Sequence, residues 1–183
     1  MMDLNIRNFN LKFIDIMIGI VLGLGFQWWP NLHEPWQYIA FVFVYIDIID
    51  YWIDYAASRK KYPSKRESEI LLDVAIMFTL FLYIYATQVT INYFLLSFIA
   101  LSFFDFVSIV RTKLQHAPMG SGGAFFSAYL LADGVNMIFS AALIVATYVS
   151  SLSPLTILTM FIGARILMRV IATFKHKSFF FKG

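Results

Sequence analysis

The chain has 183 residues, of which 60% are hydrophobic and only 14% are charged. Soluble globular domains contain roughly 45–50% apolar and about 25% charged residues, so this composition is typical of a membrane protein. Cysteine is absent, which excludes disulfides, thiolate zinc sites and cysteine nucleophiles. The formal net charge is +3, and basic residues of membrane proteins ordinarily set their topology, so we expect no nucleic-acid partner.

Six apolar segments follow one another along the chain, each close to the roughly 20 residues that a transmembrane helix needs. They cover residues 13–29, 35–57, 70–87, 91–110, 124–150 and 156–172. Short connections containing Pro, Gly, Ser or Asn separate them, as expected for turns between helices. The sequence therefore predicts an all-α polytopic fold in which residues 1–183 form a single six-helix transmembrane domain.

Outside these segments, Lys and Arg occur only at the two termini and in alternate connections. The basic residues are Arg7, Lys12, Arg59, Lys60, Lys61, Lys65, Arg66, Arg111, Lys113, Lys175, Lys177 and Lys182. Cytoplasmic loops carry an excess of Lys and Arg, so both termini are predicted to be cytoplasmic. Trp28, Trp29 and Trp36 are then expected at the outer interface, where tryptophan is enriched.

Ionisable residues are unusually frequent within the predicted helices, and at about 1.5 Å per residue all of them fall in the cytoplasmic half or near the midplane. They are Asp15, Asp47, Asp50, Asp54, Asp73, Asp105, Asp133, Arg165 and Arg169. A charge at the bilayer centre costs roughly 2.5–3.5 kcal/mol, so such groups pair with one another or line a water-filled cavity. Two arginines neutralise at most two of the aspartates.

The spacing of these charges indicates which of them share a helix face. Asp47, Asp50 and Asp54 follow an i, i+3, i+7 pattern, and Arg165 and Arg169 follow an i, i+4 pattern. The fifth segment carries a polar stripe made of Tyr129, Asp133, Asn136, Ser140 and Thr147. Several helices therefore present polar stripes to a common interior.

Our leading hypothesis is a cation channel or transporter with an acidic vestibule open to the cytoplasm, since carboxylates attract cations and exclude anions. Its predicted pathway residues are Asp15, Asp47, Asp50, Asp54, Asp105, Asp133 and Asn136. The alternative is a structural network in which Arg165 and Arg169 are buried ion-pair partners, Arg165 pairing with either Asp47 or Asp133. The protein would then be a membrane subunit or effector that anchors a partner or perturbs the membrane.

A second alternative is an enzyme. Asp47-Ile-Ile-Asp50, followed by Ala57-Ser-Arg59, resembles the aspartate motif of CDP-alcohol phosphatidyltransferases, which have six helices and bind a divalent metal. This resemblance implies metal-dependent lipid modification. No glycine follows Asp50, and only Asp73 appears where the closing pair of aspartates belongs. We therefore predict no catalytic residue and no cofactor, and leave the identity of any metal open.

The first helix carries two further signals. Gly19-Ile-Val-Leu-Gly23 is a small-xxx-small pattern, which lets another helix approach closely, within the subunit or from another subunit. Phe13-Ile-Asp15, with Trp52 near the end of the second helix, resembles bacterial and archaeal homologues of the lysosomal potassium channel. That resemblance implies a homo-oligomer, a tetramer, in a prokaryotic cytoplasmic membrane, with a central pore lined by the first helix. Ile20 and Leu24 match its apolar constriction and are the predicted gate.

Overall fold

The protein is described by a computed structural model covering residues 2–62, 67–116 and 123–180, with side chains described for 12–62, 68–115 and 127–171. Six α-helices occupy these ranges: α1 (Met2–Phe26), α2 (Pro35–Lys61), α3 (Glu67–Ala86), α4 (Ile91–His116), α5 (Gly123–Val149) and α6 (Pro154–Phe180). A short 3-10 turn, Trp29–Asn31, joins α1 to α2. The predicted all-α fold is confirmed, with one helix for each apolar segment. Lys65, Arg66 and Lys182 lie outside the described residues.

Four helices contain stretches that are long and apolar enough to cross a membrane. These stretches are Ser68–Ala86, Ile91–Gln115, Ser127–Val149 and Pro154–Ile171. They identify the chain as suited to an integral membrane location. α1 and α2 are not among these four; α2 carries Asp47, Asp50 and Asp54, and the side chains of α1 are described from residue 12 onward.

Turn chemistry explains where the helices begin and end. α1 stops at Phe26, four residues before Pro30 in the following 3-10 turn. α2 starts at Pro35, whose fixed φ suits the first helical position, and Gln37 Oε1 accepts hydrogen bonds from the Glu34 and His33 backbone N–H groups at 3.0 and 2.7 Å. α6 begins the same way, with Pro154 after Ser153, whose hydroxyl accepts from the Thr156 N–H at 3.2 Å.

Hydrogen bonds between helix ends define two ends of the bundle. At the first, which we call the basic end, the start of α3 meets the end of α4, where Arg111 Nη1 donates to the Ser68 carbonyl at 3.3 Å. The start of α5 joins them, since Lys113 Nζ donates to Ser127 Oγ at 3.4 Å. At the opposite end, Asn31 Nδ2 donates to Gln88 Oε1 at 3.0 Å. The helices therefore run alternately up and down.

Helix order in space differs from helix order in the chain at one point. α4 packs between α3 and α5, as short connections predict, but α1 packs mainly against α3 rather than against α2. α2 instead divides its contacts among α1, α3 and α6. The core is aromatic in its middle layer, where Phe98 and Phe161 rings meet edge to face with centroids 4.8 Å apart. This arrangement brings the charged face of α2 opposite the arginines of α6.

The tryptophans lie near the opposite end and differ in exposure. Trp29 is half-exposed and packs against Tyr38, whereas Trp28 contacts Phe81 of α3 with ring centroids 4.7 Å apart. Trp36 is buried and donates its indole N–H to Glu34. The expectation that all three lie at the outer membrane interface stays a prediction, because burial within the bundle does not fix depth in a membrane.

Candidate cation site and charge network

The two charged faces predicted on α2 and α6 meet each other. Arg165 Nε donates to Asp47 Oδ1 at 3.0 Å, and Arg169 Nη2 donates to Asp50 Oδ1 at 2.7 Å. The other terminal nitrogen of Arg169 bonds to Asp54. The i, i+3, i+7 spacing of the aspartates matches the i, i+4 spacing of the arginines, so the two helices are joined by a row of ion pairs. We call this row the zipper. The partner of Arg165 is Asp47, not Asp133.

Burial differs along this zipper. The Asp47 side chain is 9% exposed and Arg165 is 22% exposed, whereas Arg169 and Asp50 are 34% and 40% exposed. Arg165 also lies over the Phe98 ring at 5.4 Å, a cation–π contact in the core. The Asp47–Arg165 pair is thus the deep end of the zipper, and the Arg169 pairs form its accessible end.

A second network was not predicted from the sequence. Arg59, interpreted as a loop cation that sets topology, is buried in the last turn of α2 and pairs with the fully buried Asp73 of α3. Its guanidinium also donates to Tyr55 Oη and, at 2.9 Å, to Ser108 Oγ of α4. The interpretation of Arg59 is corrected because it lies on the inward face that it shares, at i, i+4, with Tyr55. Lys60 and Lys61, the next two residues, are exposed on the surface.

Three predicted pathway aspartates have no salt bridge to arginine in the described part of the chain. Asp15 lies on the exposed side of α1 and accepts from Trp52 Nε1 at 3.1 Å. Asp105 accepts from Tyr51 Oη at 3.0 Å. Asp133 is 8% exposed, and its Oδ2 atom finds no hydrogen-bond donor among the described side chains. These three carboxylates lie outside the ion pairs that the arginines form in the described structure.

An open cavity lies between α2, α4, α5 and α6. Its lining includes Asp50, Asp54, Asp105, Asp133, Arg165 and Arg169. Arg59 and Thr112 also line it, which places the cavity toward the basic end. Six aspartates and three arginines form the whole network, so the region is net negative when all are ionised. Carboxylates of this density attract cations.

The carboxylates of α2 bond to the arginines of α6. Within the described side chains, no three His, Asp or Glu residues come together as a metal-binding group. Asp47 and Asp50, which carry the resemblance to the phosphatidyltransferase motif, and the additional Asp54 each bond to an arginine of α6 through one carboxylate oxygen.

The predicted gate residues lie apart from this cavity, on α1. Ile20 and Leu24 are 45% and 48% exposed, whereas Ile14 and Ile18 on the other face of α1 are buried. A Cβ atom built at Gly19 or Gly23 would meet nothing within 4 Å. The small-xxx-small pattern therefore does not serve packing within the described subunit, and this face of α1 is available to another molecule.

No protein-family model, curated protein or solved structure matches this chain.

Proposed function

We propose that this protein is a multimeric cation channel or transporter whose subunit spans the membrane six times and gathers cations in an acidic cavity. One observation carries the proposal: the cavity between α2, α4, α5 and α6 is open, and Asp105 and Asp133 line it with no salt bridge to an arginine among the described residues. Intramembrane carboxylates of this kind characteristically mark ion pathways.

The topology follows from the distribution of basic residues. Lys60, Lys61, Arg111 and Lys113 gather at the basic end, and the connections at the opposite end contain neither Lys nor Arg. By the positive-inside rule the basic end and both termini face the cytoplasm. The acidic cavity then opens toward the cytoplasm.

The ion pairs divide the predicted pathway residues into two groups. Asp47 serves to hold α6 through Arg165 and does not meet a passing ion. Asp105 and Asp133 supply the cation-attracting charge, while Asp50 and Asp54 line the mouth and share Arg169. A cation that displaces one of these shared contacts gains a carboxylate partner without leaving a buried charge alone.

The exposed face of α1 supports assembly into an oligomer, a tetramer by the resemblance of α1 to the potassium-channel homologues. Gly19 and Gly23 let a second helix approach closely. Ile20 and Leu24 lie on that face and supply an apolar ring when α1 helices surround a common axis. Apolar rings of this kind gate by dewetting.

Reconstitution tests the proposal directly. Purified protein in liposomes is compared for K⁺, Na⁺ and H⁺ flux with the variants Asp105→Asn and Asp133→Asn. Both remove charge from the cavity without breaking a salt bridge of the described structure, and each should lower cation flux several-fold. Glu34→Gln, which removes a carboxylate at the opposite end, is the matched control and should leave flux unchanged. Unaltered flux in both cavity variants would contradict the acidic cavity as the pathway.

A structural role for the charges is the second candidate, and the zipper favours it. Asp47, Asp50 and Asp54 are all held by arginine, as expected for a network that fixes helix register in a membrane anchor or effector. Under this alternative, folded protein conducts no cation under any condition. Lys60→Glu with Lys61→Glu should then reduce the anchoring of a partner protein or the perturbation of the membrane. A channel with the same substitutions should keep its cation flux.

A further inference from the structure

A column of buried polar side chains runs along one face of α5. Asp133, Asn136 and Ser140 follow an i, i+3, i+7 spacing and are 8%, 6% and 1% exposed. Asp133 Oδ2, Asn136 Nδ2 and Ser140 Oγ are fully buried atoms that find no hydrogen-bond partner in the described structure. Unsatisfied buried polar atoms are rare in native proteins, so three of them along one helix face point to partners such as ordered water.

The chemical types of these atoms indicate that ligand. A carboxylate oxygen accepts, an amide nitrogen donates, and a hydroxyl does both. A water molecule needs two to four such partners, and successive waters bridge groups that lie one turn apart along a helix. The column offers only one carboxylate, one amide and one hydroxyl, all nearly inaccessible, and this set does not replace the hydration shell of a metal cation.

We infer that the α5 column is a single-file water path that carries protons through each subunit, separate from the axis around which the α1 helices assemble. The inference rests on the proposed cation-conducting function. It adds that the conducted ion is the proton and that its route is the α5 column. Asp133 connects the column to the cavity, since it lines both. A proton taken up by the Asp133 carboxylate leaves to the first water of the column, and the carboxylate is regenerated.

The charged groups around Asp133 suit this exchange. Asp105 faces it from α4 and Arg165 from α6, the two helices that pack most closely on α5. From α2, Asp54 reaches α5 through Tyr129, which donates to it at 3.4 Å, and Asp47 lies beyond Arg165. Asp105, Asp133 and Arg165 all line the cavity, so two carboxylates and one guanidinium flank the point where the column begins. Chains of acidic groups of this kind form proton relays in membrane proteins.

One apolar turn closes the path. Leu143, which is 4% exposed, follows Ser140 by three residues on the same face of α5. Beyond it, at the opposite end, Thr147 Oγ1 donates to Asn92 Oδ1 at 2.9 Å. Polar groups thus resume after a gap that spans about 10 Å between Ser140 and Thr147. Apolar constrictions interrupt a water chain by dewetting, which assigns Leu143 as the barrier.

The test measures proton flux in liposomes that contain a trapped pH-sensitive dye, with the membrane potential clamped by K⁺ and valinomycin. Leu143→Ser should raise proton flux about tenfold or more, because a hydroxyl at this turn connects the polar side chains that end at Ser140 with Thr147 beyond the gap. Asp133→Asn added to Leu143→Ser should return the flux to the level of the unmodified protein. Val145→Ser, at a site 59% exposed on the same helix, is the control and should change nothing.

A second measurement does not require conduction. The chain has no native cysteine, so single thiols can be introduced without background. Ser140→Cys should react with Ag⁺ at least tenfold faster than Ile138→Cys, which lies at a site 73% exposed outside the column, because a thiol ionises in contact with water but not in hydrocarbon. Equal rates at the two positions would overturn the water path.

Failure of this inference is distinguishable from failure of the proposed function. Leu143→Ser without effect on proton flux, together with K⁺ or Na⁺ flux that still depends on Asp105 and Asp133, overturns the α5 path and leaves the cation channel standing. Loss of every dependence on these two carboxylates overturns both. Increased proton flux in Leu143→Ser that Asp133→Asn reverses supports both.

Discussion

Arg165 of α6 and Asp47 of α2 lie 118 positions apart in the chain and are joined by a hydrogen bond of 3.0 Å. The Asp47 side chain is 9% exposed, so removing its partner leaves a buried charge without compensation. The arginine also lies over the ring of Phe98, a buried core residue. This contact fixes the rotation of α6 relative to α2.

Breaking the buried pair should therefore destabilise the protein strongly. Arg165→Gln leaves Asp47 unpaired, and removing one partner of a buried pair typically costs about 3–5 kcal/mol. Adding Asp47→Asn removes the uncompensated charge and should recover part of the loss. Unfolding of the detergent-solubilised protein by heat or denaturant measures both effects. Arg169→Gln, whose pairs are more exposed, is the comparison, and a loss equal to that of Arg165→Gln would contradict the burial argument.

Arg59 gives a second stability prediction, because it joins α2, α3 and α4 through side chains. Arg59→Lys keeps the charge but cannot donate to Asp73, Tyr55 and Ser108 at once, since an ammonium lacks the planar fork of a guanidinium. We expect a loss of about 1–3 kcal/mol, the cost of leaving buried acceptors unsatisfied. Lys60→Arg, at the exposed neighbouring position, is the control for the substitution itself and should lie within about 0.5 kcal/mol of the native value.

The glycines of α1 differ in what surrounds them, which gives a third prediction. A Cβ atom at Gly25 would lie 2.7 Å from Ile84 Cδ1 and 3.0 Å from the Tyr45 hydroxyl, whose position is fixed by its bond to the Leu22 carbonyl. Gly25→Ala should therefore destabilise the subunit by about 1–3 kcal/mol through overpacking. Gly163→Ala, in open space on α6, should be neutral or stabilising, because alanine favours the helix. Similar unfolding curves for the two variants would show that α1 and α3 are not packed as described.

Much of this fold was predictable because hydrophobic length and charge placement are local properties of the sequence. The apolar segments coincide with the six helices, and the spacings of the α2 aspartates and α6 arginines predicted faces that do meet. Arg59 was misinterpreted because a basic cluster after an apolar segment looks the same whether its first residue points inward or outward. The buried state of Asp133, Asn136 and Ser140 depends on which helix covers α5, and that is set by packing between distant segments.

The exposed face of α1 yields the last prediction. A Cβ atom at Gly19 or Gly23 would meet no described atom of its own subunit within 4 Å, so enlarging these residues should leave the unfolding of an isolated subunit unchanged. If a second copy packs on this face, Gly19→Leu with Gly23→Leu should lower the oligomeric fraction, because bulky side chains prevent the close approach of backbones. Size-exclusion chromatography with light scattering in mild detergent measures this fraction. Gly163→Leu, at an equally open position on α6, is the matched control. An oligomer that survives the α1 substitutions but not Gly163→Leu would move the subunit interface, and with it the apolar ring of Ile20 and Leu24, away from α1.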